Sequence, residues 1–199
     1  MTNAARLFVV SAPSGAGKTT LCEQLRGQMP KLVRSISATT RAKRRGERHG
    51  IDYFFVSPQR FRRDAARGHF LEHAVVFGNH YGTPRKFVEQ QLARGTDVVL
   101  SIDVQGALQV RRSFGQRAVF IFIMPPSMAE LRKRLRARGT DSARQIKERL
   151  AVARREMSFV PRYDYCILND TIRAATECLR AIITAERARV TTRKRWNNG

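Results

Sequence analysis

Hydrophobic residues along the chain follow two alternating patterns. Short apolar runs rich in β-branched residues predict buried strands, and longer stretches with apolar residues every three or four positions predict amphipathic helices. This alternation predicts an α/β fold with a mostly parallel core sheet flanked by helices. The predicted strands are Leu7 to Ser11, Val98 to Ile102, Ala118 to Met124 and Tyr165 to Leu168. The predicted helices lie near Lys18 to Gln28, Gln105 to Arg112, Met128 to Arg136, Ala143 to Glu156 and Thr171 to Arg189.

Two of the helix starts carry capping signals. Ser127 is followed three residues later by Glu130, and Ser142 by Gln145. In such pairs the serine hydroxyl accepts a hydrogen bond from the backbone N–H of the residue three positions later. The side chain of that later residue accepts a hydrogen bond from the backbone N–H of the serine. Both pairs support the predicted helix boundaries.

Residues 31–81 interrupt the alternation with short extended pieces and many Arg, Gly and Tyr residues. We interpret this stretch as an insertion over the edge of the sheet. Gly139 and Thr140, between two predicted helices, indicate a second segment that extends from the core. The chain is therefore expected to form one domain, with a core at 1–33 and 84–190, an insertion at about 34–83, a lid at about 134–150 and a basic tail at 190–199.

A glycine-rich stretch between the first predicted strand and helix matches the Walker A phosphate-binding motif. Its glycines let successive backbone N–H groups point inward, and the helix start adds a positive end. Lys18 is expected to bridge the β- and γ-phosphates of ATP, and the Thr19 hydroxyl to bind Mg²⁺. The motif alone leaves kinase, ATPase and GTPase open, although the Asn-Lys-x-Asp run of GTPases is missing. The stretch reads Ala12-Pro13-Ser14-Gly15-Ala16-Gly17-Lys18-Thr19, with Ala12 where Gly is usual.

The charge balance indicates anionic partners. Thirty-eight Lys and Arg against sixteen Asp and Glu give a formal net charge of +22. A positive surface field attracts nucleotides, RNA or acidic lipids. The net charge therefore indicates a class of partner but does not identify a function. The basic segment 187–195 is interpreted as a frayed end in preference to a nucleic-acid arm.

Hydropathy and cysteine content indicate where in the cell the protein is expected to be. No apolar run approaches the roughly 20 residues of a membrane span, and no secretory signal is recognisable, so we expect a soluble, cytoplasmic protein without membrane contact. Cys22, Cys166 and Cys178 are widely and irregularly spaced. They are expected to be buried thiols and not metal ligands.

Residues 37–83 contain the groups that a second, smaller anion site needs. Arg41 and Arg44 offer planar guanidinium forks, which bind paired phosphate oxygens better than lysines do. Ser37, Tyr53 and Tyr81 can donate hydroxyl hydrogen bonds to the same phosphate. These groups suit the dianionic phosphate of a nucleoside monophosphate.

This region resembles the GMP-binding region of guanylate kinases, and the resemblance runs from the Walker loop to about Ile183. It implies a P-loop NTPase fold, a GMP-binding insertion, and ATP with Mg²⁺ as the phosphate donor. Glu72 would read guanine, because a carboxylate accepts from N1–H and N2–H, and Thr83 would offer the base a hydroxyl. The resemblance is carried by residues 37–56, by Phe70-Leu71-Glu72 and by Gly78-Asn79-His80-Tyr81-Gly82-Thr83.

Asp103 is expected to face the nucleotides. It closes a strand predicted to lie beside the Walker strand, and ligands gather at the carboxyl edge of such sheets. Family members commonly carry a carboxylate where this chain has Ser101, on the same strand face as Asp103. A hydroxyl lacks that charge, so the handling of the metal or of Lys18 is expected to differ.

The resemblance also assigns lid arginines to Arg138 and Arg149. With Lys18 and Arg41 they form the expected catalytic set, because phosphoryl transfer depends on positioning and charge neutralisation. Asn169 and Asp170 match an Asn-Asp step near the adenine in the family. Asn169 is interpreted as a contact to the base, and Asp170 as the cap of the last helix.

Three other hypotheses stay open at this point. A related P-loop kinase for another phosphate ester, such as ribose bisphosphate, has no need of a guanine reader. A non-catalytic guanylate-kinase-like binding module would have lost the Walker loop. An RNA-binding protein would use the net charge, but no aromatic stacking platform is recognisable. The expected partners are GMP and ATP, with no specific nucleic acid, and the oligomeric state stays open.

Overall fold

The structure is a computed structural model that describes residues 5–25, 28–137, 139 and 141–189. Within these residues the chain forms two sheets and seven α-helices. The strands are β1 (Leu7–Ser11), β2 (Leu32–Arg34), β3 (Ala38–Thr39), β4 (Phe54–Phe55), β5 (Phe70–Val76), β6 (Asn79–Pro84), β7 (Asp97–Ser101), β8 (Ala118–Met124) and β9 (Tyr165–Leu168). The helices are α1 (Lys18–Gln24), α2 (Pro58–Ala66), α3 (Arg85–Ala93), α4 (Val104–Phe114), α5 (Met128–Ala137), α6 (Ala143–Met157) and α7 (Ile172–Ala188).

The central sheet has the order β2-β7-β1-β8-β9, and all its neighbouring strands are parallel. Strand β1 lies in the middle, and its five residues are all buried. Phe8 and Val10 pack into one apolar cluster, whereas Leu7 and Val9 pack into another on the opposite face. A strand covered by helices on both faces therefore reads as a continuous apolar run.

The second sheet lies within residues 38–84 and has the order β4-β3-β6-β5. Strands β5 and β6 form an antiparallel hairpin, and β6 also pairs antiparallel with β3. A small apolar cluster of Ala38, Phe61 and Phe70 joins this sheet to α2. The irregular composition of this stretch thus encodes a separate small sheet.

The α/β prediction with a parallel core sheet is confirmed. Three predicted strands have the observed bounds, and β7 begins and ends one residue earlier than predicted. Helix α1 is shorter than predicted, because it ends at Gln24. Ser142 and Gln145 form the reciprocal capping box, and the Ser127 hydroxyl accepts from the N–H of Glu130 at 3.1 Å.

Two predictions were wrong. Cys22 is buried, but Cys166 and Cys178 are exposed, because Cys166 points outward from the edge strand β9 and Cys178 lies on the solvent side of α7. Asp170 does not cap α7. The cap is Thr171, whose hydroxyl accepts from the N–H of Ala174 at 3.3 Å.

None of the helices in the described ranges combines the length and the apolar character needed to cross a bilayer.

Candidate functional site

The glycine-rich loop joins the carboxyl end of β1 to α1. Gly15 and Gly17 have φ values of 97° and 94°, which L-residues with a side chain rarely adopt. The N–H of Ala16 donates to the Pro13 carbonyl at 3.0 Å. A Cβ at residue 17 would also collide with the amide of Asn169. The loop conformation therefore requires glycine at position 17 for two separate reasons.

Lys18 extends from the first turn of α1 to the neighbouring strand end. Its Nζ donates to the carbonyl of Ile102, just after β7, at 2.6 Å. Burial lowers the pKa of Lys18, and the negative charge of Asp103 opposes that shift most strongly. The ammonium group thus sits at the carboxyl edge of the sheet, where β1 and β7 run side by side.

Asp103 begins α4. Its carboxylate accepts from the N–H of Gly106 at 2.9 Å and from the Gln105 side chain at 3.2 Å. Ser101, at the end of β7, is one of the groups that influence the ionisation of the buried Cys22 thiol on α1. Burial raises the pKa of that thiol to about 11. Both side chains are therefore neutral, and Ser101 brings no negative charge to this strand end.

Glu72 lies on β5, directly opposite Thr83 on β6. The Glu72 side chain is buried, and its Oε1 accepts from the Thr83 hydroxyl at 2.5 Å. Its other oxygen packs against Gly106, where any Cβ would collide with the carboxylate. Burial raises the pKa of Glu72 to about 7, while the Thr83 bond and Lys18 lower it and Asp103 raises it. The insertion thus places the Glu72 carboxylate in contact with the first turn of α4.

Arg41, Tyr53 and Tyr81 are gathered on the insertion. The Arg41 guanidinium carbon lies 5.4 Å from the centre of the Tyr53 ring, and the Tyr53 and Tyr81 ring centres are 6.0 Å apart. Burial raises the pKa of Tyr53, and the nearby Tyr81 adds to that shift. One cation and two phenols therefore share one surface.

Glu47 holds the arginine loop in place. Its carboxylate accepts from Arg41 Nη2 at 2.7 Å and from the Arg44 backbone N–H at 2.8 Å. Burial alone would raise the pKa of Glu47, but these bonds from Arg41 and Arg44 lower it. The Arg44 side chain is exposed, and the half-buried Ser37 accepts from the N–H of Phe54 through its carbonyl at 2.9 Å.

Arg149 approaches the glycine-rich loop from α6. Its Nη1 donates to the Ser14 hydroxyl at 2.9 Å, and its Nη2 lies 3.2 Å from Asp141. The guanidinium also lies over the ring of Phe77, 4.4 Å from its centre. The second predicted lid arginine, Arg138, lies outside the described residues.

Asn169 supports the glycine-rich loop from behind. Its side chain is fully buried, and Nδ2 donates to the Ala16 carbonyl at 2.6 Å. Its Oδ1 is buried without a hydrogen-bond partner among the described residues. The predicted contact of Asn169 with adenine stays a prediction.

Sequence reasoning missed Glu156, which belongs to the same electrostatic cluster. It is half-buried on α6, seven residues after Arg149 and so on the same helix face. Burial raises its pKa to about 7, an effect that Lys18 opposes and Asp103 reinforces. The seven-residue spacing from Arg149 was the signal in the sequence.

The described ranges contain no group of three or more His, Cys, Asp or Glu residues arranged to hold a metal ion. Magnesium at phosphoryl-transfer sites takes one or two protein oxygens and completes its shell with phosphates and water. The exposed Thr19 hydroxyl at the start of α1 fits that limited demand.

A glycine-rich loop with its lysine, at the carboxyl edge of a parallel sheet, defines the class of P-loop NTPases. The family model for guanylate kinase matches residues 4–186. The chain belongs to the guanylate kinase family, as its sequence resemblance predicted.

Individual relatives agree with this assignment. A guanylate kinase from Carboxydothermus hydrogenoformans is 50% identical over 181 residues, which cover 91% of this chain and 88% of that protein. One from Dechloromonas aromatica is 53% identical over 182 residues, covering 92% and 90%. A crystal structure of guanylate kinase from Anaplasma phagocytophilum has a TM-score of 0.80 at 38% identity, covering 95% of this chain and 89% of that one.

Proposed function

We propose that this enzyme transfers the γ-phosphate of ATP to GMP, giving ADP and GDP, in one direct in-line step. The observation that carries the proposal is the short path between the two candidate sites. Lys18 bonds to the Ile102 carbonyl, Asp103 caps α4 at Gly106, and Gly106 touches Glu72. The segment 102–106 therefore separates the phosphate loop from the carboxylate proposed to read guanine.

The donor site is proposed to use the backbone of residues 12–17 for the phosphates. Lys18 would exchange its bond to the Ile102 carbonyl for the β- and γ-phosphates, which suit a cation better than a neutral carbonyl does. The Thr19 hydroxyl would hold Mg²⁺, which supplies charge neutralisation to the phosphates when bound. Asn169 would keep the loop backbone in place.

The acceptor site is proposed to lie on the insertion. Arg41 and Arg44, with the hydroxyls of Ser37, Tyr53 and Tyr81, would hold the GMP phosphate. Glu72 would accept hydrogen bonds from guanine N1–H and N2–H, and Thr83 would offer its hydroxyl to the base. Asp103, at the start of α4, would face the nucleotides between the two sites.

Positioning and charge neutralisation are the proposed sources of catalysis, because phosphoryl transfer asks little covalent chemistry of the protein. Arg149 already reaches Ser14 of the phosphate loop, which supports a role beside the transferring phosphate. Residues 134–150, including Arg138, are proposed as a lid that excludes water from the donor site. The proposed location is the cytoplasm, and the proposed context is purine nucleotide metabolism.

The test is a coupled assay of ADP formation from ATP and Mg²⁺ with GMP, AMP, CMP, UMP and ribose 1,5-bisphosphate in turn. We expect GMP to give a kcat/KM at least about a hundredfold above the other acceptors, because a site built to hydrogen-bond a base rejects analogues that leave its groups unpaired. Equal rates with the sugar phosphate would favour the alternative kinase. ADP formation that no acceptor stimulates would overturn the proposal.

A further inference from the structure

Phe77 occupies an unusual position at the tip of the β5–β6 hairpin. Val76 pairs with Asn79, so the turn consists of Phe77 and Gly78 alone. Their φ values are 47° and 76°. Two-residue turns with both φ values positive favour Asn-Gly or Asp-Gly, because a bulky side chain is strained in the left-handed region. The requirements of the turn therefore do not explain an aromatic residue at position 77.

Burial does not explain the ring either. Phe77 keeps 42% of its surface exposed, so it is not part of an apolar core. An aromatic residue that is both strained and exposed needs another reason, and such outliers cluster at functional sites. The ring does lie against Arg149, whose guanidinium carbon is 4.4 Å from the ring centre.

Arg149 links three separate parts of the chain through this contact. It donates to Ser14 on the phosphate loop, pairs with Asp141 before α6, and lies over Phe77 on the insertion. Only 17% of its side chain is exposed. Ser14 and Asp141 hold the two ends of the guanidinium edge, and the ring of Phe77 supports its face.

We propose that Phe77 is a positioning residue for phosphoryl transfer, which holds the Arg149 guanidinium against the phosphate loop. The hairpin that carries Phe77 also carries Glu72, Tyr81 and Thr83. A base bound to this hairpin therefore fixes the ring under Arg149. The inference rests on the proposed function, and it adds a direct link between the acceptor hairpin and an arginine of the donor site.

The turn offers an informative substitution. Phe77→Asn removes the ring and supplies the residue that the turn prefers, so the hairpin is expected to be at least as stable as before. Because cation–π contacts are modest, we expect kcat to fall about three- to tenfold. KM for GMP and for ATP should stay within about twofold, since the ring is not among the proposed contacts of either nucleotide. Phe77→Trp should keep kcat near the parent value, because indole also binds cations.

Val75→Thr is the matched control. Val75 lies on the same hairpin and is 50% exposed, and threonine keeps its β-branched shape. This variant should leave kcat unchanged. The melting temperature of each variant is compared with that of the parent, to check that the variant folds.

A double-mutant cycle tests whether Phe77 affects kcat through Arg149. In an Arg149→Met background, Phe77→Asn should lower kcat no further, because its effect passes through the guanidinium. In NMR spectra of the Nε–H group of Arg149, Phe77→Asn should remove the upfield ring-current shift.

The outcomes are distinguishable. An unchanged kcat in Phe77→Asn, or an equal loss in the Arg149→Met background, would overturn the inference while the proposed function stands. An unaltered chain that is inactive with GMP would overturn the proposed function, and this inference with it.

Discussion

Thr83 donates its hydroxyl hydrogen to Glu72 at 2.5 Å, across the hairpin that places the two residues opposite each other. The bond orients a buried carboxylate with a pKa of about 7. Because Glu72 is buried, its pKa depends strongly on the neighbouring groups. Its carboxylate also contacts Gly106 in the first turn of α4. The first two predictions follow from this pair.

Glu72→Gln should reduce the preference for guanine. Glutamine keeps the shape of the side chain but loses one acceptor and the charge, so one guanine N–H is left without a partner. We expect KM for GMP to rise at least about tenfold, since an unpaired buried group costs about 1–3 kcal/mol. KM for AMP should change little. Glu89→Gln, on the exposed face of α3, is the control, and unchanged discrimination in Glu72→Gln would show that Glu72 does not read the base.

The pKa of Glu72 predicts a pH dependence. The proposed contact of Glu72 with guanine needs the ionised carboxylate, so KM for GMP should rise as the pH falls below about 7, and this rise should be absent in Glu72→Gln. Stability has the opposite sign. Between the ordinary pKa of 4.5 and about 7, the folded chain binds more protons than the unfolded chain at this residue. The contribution of Glu72 to the free energy of unfolding therefore falls as the pH rises through this window.

Urea unfolding of the parent and of Glu72→Gln at pH 5 and pH 8 measures that contribution. The substitution should stabilise the chain more at pH 8 than at pH 5. Glu156, whose pKa is also about 7, stays in both proteins and cancels from the comparison. An equal difference at both pH values would mean that the Glu72 pKa is not raised.

Lys18→Ala should abolish turnover and keep GMP binding. The variant loses the cation proposed for the β- and γ-phosphates, and we expect kcat to fall by about 10³ or more, the order seen when a single transition-state contact is removed. Calorimetry at pH 8 should give a Kd for GMP within about twofold of the parent. The higher pH keeps Glu72 ionised when the neighbouring positive charge is removed.

Lys133→Ala, an exposed lysine of α5, is the control for the loss of one charge. A Lys18→Ala enzyme with near-normal kcat would place the donor phosphates elsewhere.

Asn169→Ala should weaken donor binding through the loop. It removes the partner of the Ala16 carbonyl, which should cost about 1–3 kcal/mol of stability. A role in supporting the loop predicts equal increases in KM for ATP and ITP, because the loop binds phosphates. An increase for ATP alone would instead support a contact with adenine. Asp170→Ala should be neutral within about 0.5 kcal/mol, because Asp170 is exposed and does not cap α7.

The central layer of the fold was predictable because its signal is local. Strand β8 is apolar on both faces, and its seven residues were predicted with the observed bounds. Strand β4 lies within residues 52–56, which read as an extended piece in the sequence. The two-residue strand β3 gave no such signal, because it exists only through pairing with distant chain segments. Helix α2 could have been found, since Ser57 caps it and Pro58 follows at the first helical position.

The candidate site divides in a similar way. The loop with Lys18 was predictable because one contiguous motif encodes it, and the residues of the proposed acceptor site were predicted from the resemblance to the family. Glu47 and Phe77 were missed because each is defined by its spatial partner, whereas Glu156 was missed although its spacing from Arg149 was present in the sequence. Glu47 is an ordinary acid in an Arg-rich stretch until the fold turns it toward Arg41.

The most direct test of the central claim is calorimetric binding of a bisubstrate nucleotide, adenosine and guanosine joined through five phosphates. If the glycine-rich loop and the insertion hold donor and acceptor end to end, this compound should bind one to one, and far more tightly than either ATP or GMP. Saturating ATP and saturating GMP should each weaken its binding. Binding that GMP leaves unchanged would contradict the account.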